Sequence, residues 1–255
     1  MNGEWPGGSR SEAVGRTDRR LDAVPQFDPR SRGYPISEVL TDSQRGLRSF
    51  GWDCPIWLNQ GQEGACVGFA WAHELAAAPA EVKGVTKKLA RGIYKDARRV
   101  DEWPGERYSG TSVLAGAKIV KFRGYMEEYR WGFGVIDALR AIAYFGPVVV
   151  GIPWYESMQD PRPSGLLEVS KDRSGNRHAI IVTGVALRAR LKGEPGPLSV
   201  VHLRNSWSKR WGVEGDCWIL IDDFEALLRD EGECCVPVGR SPRPDKAFLA
   251  LARKR

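Results

Sequence analysis

The sequence predicts an α+β fold of two lobes, on three observations. Up to about Tyr144, apolar residues recur mostly at helical spacing. Beyond Gly146-Pro147 they gather into short runs of β-branched and aromatic residues separated by Gly, Pro and Asp. The length, 255 residues with 42% apolar and 27% charged, suffices for one large domain or two small lobes around a buried core. Helices first and strands second is an α+β order, and a cleft between two such lobes is where a site forms.

Residues 1–47 read as an extended, partly disordered arm, rich in Gly, Arg, Pro and Ser and without a sustained apolar period. Order is expected to begin at Ser49–Leu58, which carries Phe50, Trp52, Ile56 and Trp57. The main domain is expected over 48–240, with a helical lobe at about 60–144 and a β-rich lobe at about 145–240; 241–255 form a basic tail. Asn59–Ala65 is a loop by composition. Cys66–Ala78 follows as an Ala-rich helix that stops near Pro79. Lys88–Arg99 is a second helix. Ser112–Gly124 is a third, opening where a hydroxyl can cap it. Val135–Tyr144 is a fourth, ended by Gly146-Pro147. The expected strands are Val148–Ile152, His178–Val185, Leu198–Arg204 and Cys217–Ile221.

The formal charge of +6 is modest and spread along the chain. With no zinc-finger, aromatic RNA-binding or basic-zipper pattern, no nucleic-acid partner is expected. No apolar run of about 18 residues occurs, so no membrane span is expected. The first thirty residues lack the apolar stretch of a secretory signal, which makes a cytoplasmic location the expectation. Five cysteines, an odd number without a CxxC pair, argue against both a disulfide framework and a structural zinc site. No metal, no cofactor and a monomeric state are expected.

Four positions carry chemistry. Cys66 stands at a loop-to-helix junction, where the helix dipole and free N–H groups favour a thiolate. Gln60, six residues upstream across a Gly-containing loop, has an amide that can donate to an oxyanion together with the Cys66 N–H. Only three histidines can serve as a base. His73 is two helical turns from Cys66, about 10 Å along the axis, and reads as structural. His202 lies three residues before Asn205 in a strand, so the two should face opposite ways. His178 opens an apolar strand after a flexible loop, a sound position at a cleft. Asn205, in Asn205-Ser206-Trp207, can fix an imidazole tautomer, and the indole can shield that bond from water. Taken singly, each has an ordinary structural reading: buried thiol, solvated loop residue, structural histidine, packed turn.

Together they stand in the order Gln, Cys, His, Asn. The stretches QGQEGACVGFA, NRHAIIVTGV and LRNSWSKRWGVEGDCWI resemble the three signature blocks of the papain-like cysteine proteases, over about Cys54 to Phe224. The resemblance implies a left helical lobe and a right β-barrel-like lobe with the active site between them. It makes Cys66 the nucleophile, His178 the base, Asn205 its orienter and Gln60 the oxyanion donor. Gly64, Gly110 and Trp207 are then expected to line the substrate side, with Trp207 also covering the pair. The implied activity is that of a cysteine endopeptidase acting on peptide or protein substrates. The alternatives are another acyl transfer by the same residues, amidase or transglutaminase-like, and a catalytically silent binding or phage-structural module.

Several positions depart from the family. Glu63 stands where secreted members usually have a disulfide cysteine, and Val67 where they have Trp. Arg177 reverses the charge that plant members often place before the base, and is expected to disfavour an imidazolium. Residues 1–50 lack the length and helical period of the family's inhibitory propeptide, so zymogen control of that kind is not expected. The pattern resembles the compact bacterial and phage branch most.

Overall fold

A computed structural model describes residues 21–26, 28–102, 108–170 and 174–242 of the chain. The first twenty residues of the arm and the tail from 243 onward lie outside the described residues.

Among the described residues five α-helices and seven strands follow one another as β1 (Phe50–Gly51), α1 (Cys66–Ala76), α2 (Lys87–Ala97), α3 (Val113–Phe122), β2 (Met126–Trp131), α4 (Val135–Tyr144), β3 (Val148–Tyr155), β4 (Ser174–Arg190), β5 (Pro197–Arg204), β6 (Asp216–Leu220), α5 (Ile221–Arg229) and β7 (Glu233–Arg240). The strands form one antiparallel sheet in the order β2-β7-β3-β4-β5-β6, with β1 pairing β4 off that path. The mixed α+β architecture matches the expectation, and the described sheet is not closed, consistent with a barrel-like lobe.

Every residue of β3 is buried, because helices cover both faces of the sheet. Strand side chains alternate, so the two faces can be read off one strand. Val149 joins Ala179, Ile181 and Cys235 under α1, α2 and α3. Val148, Val150 and Ile152 join Ile180, Val182 and Cys234 under α4 and α5. The same alternation sends the adjacent thiols of Cys234 and Cys235 into opposite cores, and all five cysteines are buried free thiols.

Helix α4 has the predicted bounds. Helix α3 starts as expected: Ser112 is its N-cap, and its Oγ accepts from the Ala115 N–H at 2.9 Å. Helix α1 ends at Ala76, two residues early. Strand β4 is far longer than predicted, since it pairs β3 along one stretch and β5 along another. Strands β2 and β7 were not foreseen. The first has two adjacent glutamates, Glu127 and Glu128, and so no clean alternation, and the second contains Pro237; pairing with each other makes them strands.

Residues 21–26 and 28–47 run along this body. Ile36 is fully buried in the core beneath α4, and Pro35 bridges Trp131 of β2.

A buried ion pair ties the last residue of β7 to α1. Arg240 Nε lies 2.6 Å from Glu74 Oε1, and the side chains are 7% and 1% exposed. The guanidinium also donates to the carbonyls of Ala77 and Ala78 beyond the end of α1. Burial pushes the Glu74 carboxyl up to about 7, against the opposing pull of Arg240. Arg240→Met therefore costs about 3 kcal/mol, the cost of leaving a buried carboxylate without its counter-charge. A carboxyl whose folded pKa is raised adds stability that is lost as pH rises through that value. The deficit of the variant in urea melts is thus expected to be larger at pH 9 than at pH 6.

Candidate active site

Cys66 is the first residue of α1, and no side chain caps that end. Helix α1 is buried on all sides, which fixes the direction in which its N-terminus points. It points at an open edge of the sheet. Pairing between β4 and β5 begins at Ile181↔Arg204, whereas β3 pairs β4 already at Ile152↔His178. The stretch Arg177–Ile180 therefore has one edge free of β5, and the thiol of Cys66 sits against it. The backbone N–H groups of Ala179, Asp22 and Val67 point at the sulfur and favour its thiolate, yet burial outweighs them and pushes the thiol up to about 11.

His178 is fully buried. Its Nε2 lies 2.8 Å from Asn205 Oδ1. That oxygen also accepts from the Ser206 N–H at 2.7 Å, which fixes the orientation of the amide. An oxygen only accepts, so Nε2 carries the proton and Nδ1 keeps its lone pair. Among the described residues Nδ1 has no hydrogen-bond partner. Burial pushes the imidazole down to about 4, while the Asn205 bond and the negative charge of Asp22 oppose it. Burial thus disfavours the charged form of both the Cys66 thiol and the His178 imidazole.

Trp207 packs on the imidazole with ring centroids 4.9 Å apart and planes 31° from parallel. Trp154 meets the same ring edge-on at 4.9 Å, and Trp211 closes the cluster against Trp207 at 5.2 Å. Trp207 is thus a wall behind His178 and is 3% exposed. Trp154 was not singled out from the sequence; it shares the His178 face because Trp154↔Asn176 and Ile152↔His178 are in one antiparallel register.

Gln60 joins the same network. Its N–H donates to Ser206 O at 2.9 Å, Ser206 Oγ donates to Gln60 Oε1 at 2.6 Å, and Gln60 Nε2 donates to Glu63 O at 3.0 Å. Asn59 bridges Trp207 as well, so the loop before Cys66 is zipped onto the Asn205–Trp207 segment. Ser206 is the residue that sequence reasoning missed here. Its neighbours in the tripeptide draw attention, while its own hydroxyl orients the Gln60 amide.

The other histidines lie elsewhere. His73 Nε2 accepts the Leu58 N–H at 3.0 Å, and burial drives its pKa down to about 3. His202 turns away from Asn205: Nδ1 meets Thr183 Oγ1 at 2.7 Å and Nε2 lies 3.3 Å from Asp216 Oδ2. Arg177, expected to bring positive charge to the base, is directed at the carbonyls of Gly151 and Glu231 instead. Adjacent strand residues face opposite sides, and the charge felt at His178 comes from Asp22 with the opposite sign.

Gly64 and Gly110 both face Asp22. A methyl group at Gly64 would strike the Asp22 carboxylate and Ser109, and one at Gly110 would strike the Asp22 carbonyl; Gly110 also has φ +98°. Close backbone approach is what these glycines permit. Among the described residues no group of three His, Cys, Asp or Glu side chains could hold a metal ion, and no helix is long and apolar enough to cross a membrane.

No protein-family model matches the sequence, and no curated protein does. Solved structures do. Xylellain, a cysteine protease from Xylella fastidiosa, is 16% identical with a TM-score of 0.58, over 91% of this chain and 95% of that one. A digestive procathepsin L2 proteinase from the Tenebrio molitor larval midgut is 18% identical with a TM-score of 0.58, over 85% and 77%. The bromelain protease from Ananas comosus is 13% identical with a TM-score of 0.50, over 71% and 92%. The helices and the sheet are therefore arranged as in the papain-like cysteine protease fold.

Proposed function

We propose that this chain is a cysteine endopeptidase in which Cys66 attacks a peptide carbonyl, His178 moves the proton and Asn205 holds the base in register. The observation that carries the reading is the His178–Asn205 bond, whose acceptor oxygen is fixed by Ser206 and which leaves the Nδ1 lone pair unspent, in a chain that also sets a thiol at the N-terminus of α1. The fold similarity supports a cysteine peptidase in general; the residue roles are the finer part of the proposal.

In the proposed reaction the Cys66 thiol passes its proton to His178 Nδ1 as sulfur attacks the carbonyl carbon. The carbonyl electron pair moves to oxygen, where Gln60 Nε2 and the Cys66 N–H receive the charge. The C–N bond then breaks, and the Nδ1 proton leaves with the amine. Water attacks the thioester, gives one proton to Nδ1, and the carboxylic acid departs as that proton returns to sulfur. Gly64 and Gly110 let the substrate backbone approach, and Trp207 shields the imidazole bond from water.

The test is turnover of a peptide library with product sequencing, combined with mass spectrometry of the acylated chain after rapid acid quench. An acyl group on Cys66 supports the reading, and turnover with Cys66 unmodified and replaceable sinks it. Gln60→Ala is expected to lower kcat on the order of 100-fold with little change in KM, since its amide acts on the transition state. An unchanged kcat removes Gln60 from the scheme.

A further inference from the structure

We propose that the exposed face of α2 is a docking surface for an acidic stretch of a polypeptide substrate, a basic stripe that begins beside the groove. Its part in turnover rests on the peptidase reading; the binding does not. Six of the residues 87–99 are Lys or Arg, and one, Asp96, is acidic. The positive charge that reads as spread along the whole chain thus has a local concentration. The buried side of α2 is apolar, with Ala90, Ile93 and Ala97. The exposed side carries Lys88, Arg91 and Lys95, and Arg99 continues it in the turn beyond the helix. Spacings of three, four and four residues set these cations on one line about 16 Å long, in steps of roughly 5–6 Å.

Helix stability does not ask for this arrangement. Lys87 and Lys88 stand in the first turn, which holds no acidic residue and no side-chain cap, and the helix dipole disfavours cations there. Glu63 pairs with Arg91 and lies 4.0 Å from Lys87, and Asp96 pairs with Arg99 and Arg123. Lys88 and Lys95 pair with no carboxylate among the described residues. The Arg91 hydrogen bond, helped by the charges of Lys87 and Lys95, holds the Glu63 carboxyl below its usual value, so a carboxylate is already favoured at the near end of the stripe. That end meets the groove. Glu63 is the neighbour of Gly64, and the Tyr94 hydroxyl of α2 accepts from the Gly110 N–H at 3.2 Å. The substrate backbone is proposed to approach over these two glycines, so a chain leaving the groove there is delivered onto α2. An extended segment sets same-side residues roughly 7 Å apart, so three Asp or Glu side chains span the stripe. The exposed residues of the helix are all cations, with no aromatic ring for a base to stack on and no apolar side chain to enter a lipid surface. An acidic polypeptide is the partner that these features favour.

The experiment uses the full-length chain and the fluorescence anisotropy of labelled octaglutamate and octaglutamine. Wild type is expected to bind octaglutamate and not octaglutamine, and to bind it more weakly at about 300 mM than at about 50 mM NaCl, where screening is slight. Lys88→Glu/Lys95→Glu is expected to weaken binding at least about tenfold, and Lys88→Gln/Lys95→Gln by less. Arg190→Glu/Lys192→Glu, the same charge change at exposed positions between β4 and β5, should alter it little. Thermal melts check the folding of every chain. Equal affinity of wild type and folded Lys88→Glu/Lys95→Glu overturns the surface. Tighter binding of a dT octamer than of octaglutamate through the same lysines overturns the choice of partner in favour of nucleic acid. For turnover, a peptide that the chain cleaves is extended at either end by Glu-Glu-Glu or by Gln-Gln-Gln. The acidic extension should lower KM about fivefold with little change in kcat, and Lys88→Glu/Lys95→Glu should erase that difference. Equal KM for the two extensions overturns the substrate role. A chain that binds octaglutamate through α2 yet hydrolyses no peptide leaves the surface standing and sinks the peptidase reading instead.

Discussion

Cys66→Ala is expected to abolish peptide hydrolysis, with a loss on the order of 10⁵-fold or more, the scale seen when a covalent nucleophile is deleted from a catalytic unit. The fold should survive. The thiol is enclosed at the first turn of α1, and exchanging it for a methyl removes one heavy atom from a site closed on every side. Such a deletion costs about 1 kcal/mol. Circular dichroism and a thermal melt separate the two effects: unchanged helicity with no turnover is the expected pair. Retained turnover would move the chemistry to another group. A pH profile adds an independent check. Burial pushes the Cys66 thiol up to about 11, so in the folded chain its alkylation rate should still climb with each pH unit above 8.

Arg204→Met is expected to destabilise the chain by about 3–5 kcal/mol, the cost of stranding a buried charge. The guanidinium pairs with Asp216 through both Nε and Nη2, and Nη1 donates to the carbonyls of Cys54 and Ile56 at 2.8 and 2.7 Å. The side chains of the pair are 8% and 15% exposed. Burial alone would raise the Asp216 carboxyl, but the Arg204 and His202 hydrogen bonds more than compensate, and its pKa is lowered. A depressed carboxyl contributes stability that is complete above its unfolded value, about 4, and fades as pH falls through the folded one. The variant should therefore lose its margin mainly at neutral pH, where the orphaned Asp216 is charged. Urea melts at pH 7 and pH 3 test this, and a loss of equal size at both would refute the electrostatic account. Pairing Arg204→Met with Asp216→Leu should recover part of the loss, since no buried charge is then left alone. The same change loosens the segment leading to Leu58 and Gln60, so kcat should fall further than stability predicts.

Some of this was legible before any coordinates. Helix α4 and the start of α1 follow from apolar spacing and from the Gly and Pro that bound them. His178 could be chosen over His73 and His202 by helical rise and strand alternation, and both rejected histidines indeed serve backbone or hydroxyl partners elsewhere. Strands β2 and β7 were not legible, because their composition is ambiguous and their partners lie over a hundred residues apart in the chain. The oxygen of Asn205 could be nominated from sequence, but not the Ser206 N–H that fixes which way it faces.

What the residues determined alone is the chemistry on offer: one thiol at a helix start, one imidazole at a strand mouth and one amide to steer it. These follow from short-range periodicity and side-chain type, which a linear reading contains. What only the tertiary structure decided is access and protonation. The contacts of Ala23 with Arg177 and of Val24 with Thr111 run through N–H groups that nearly every residue possesses, so no motif announces them. The charge states of Cys66 and His178 depend on how much water the surrounding segments exclude, and desolvation is set by neighbours that are remote in the chain.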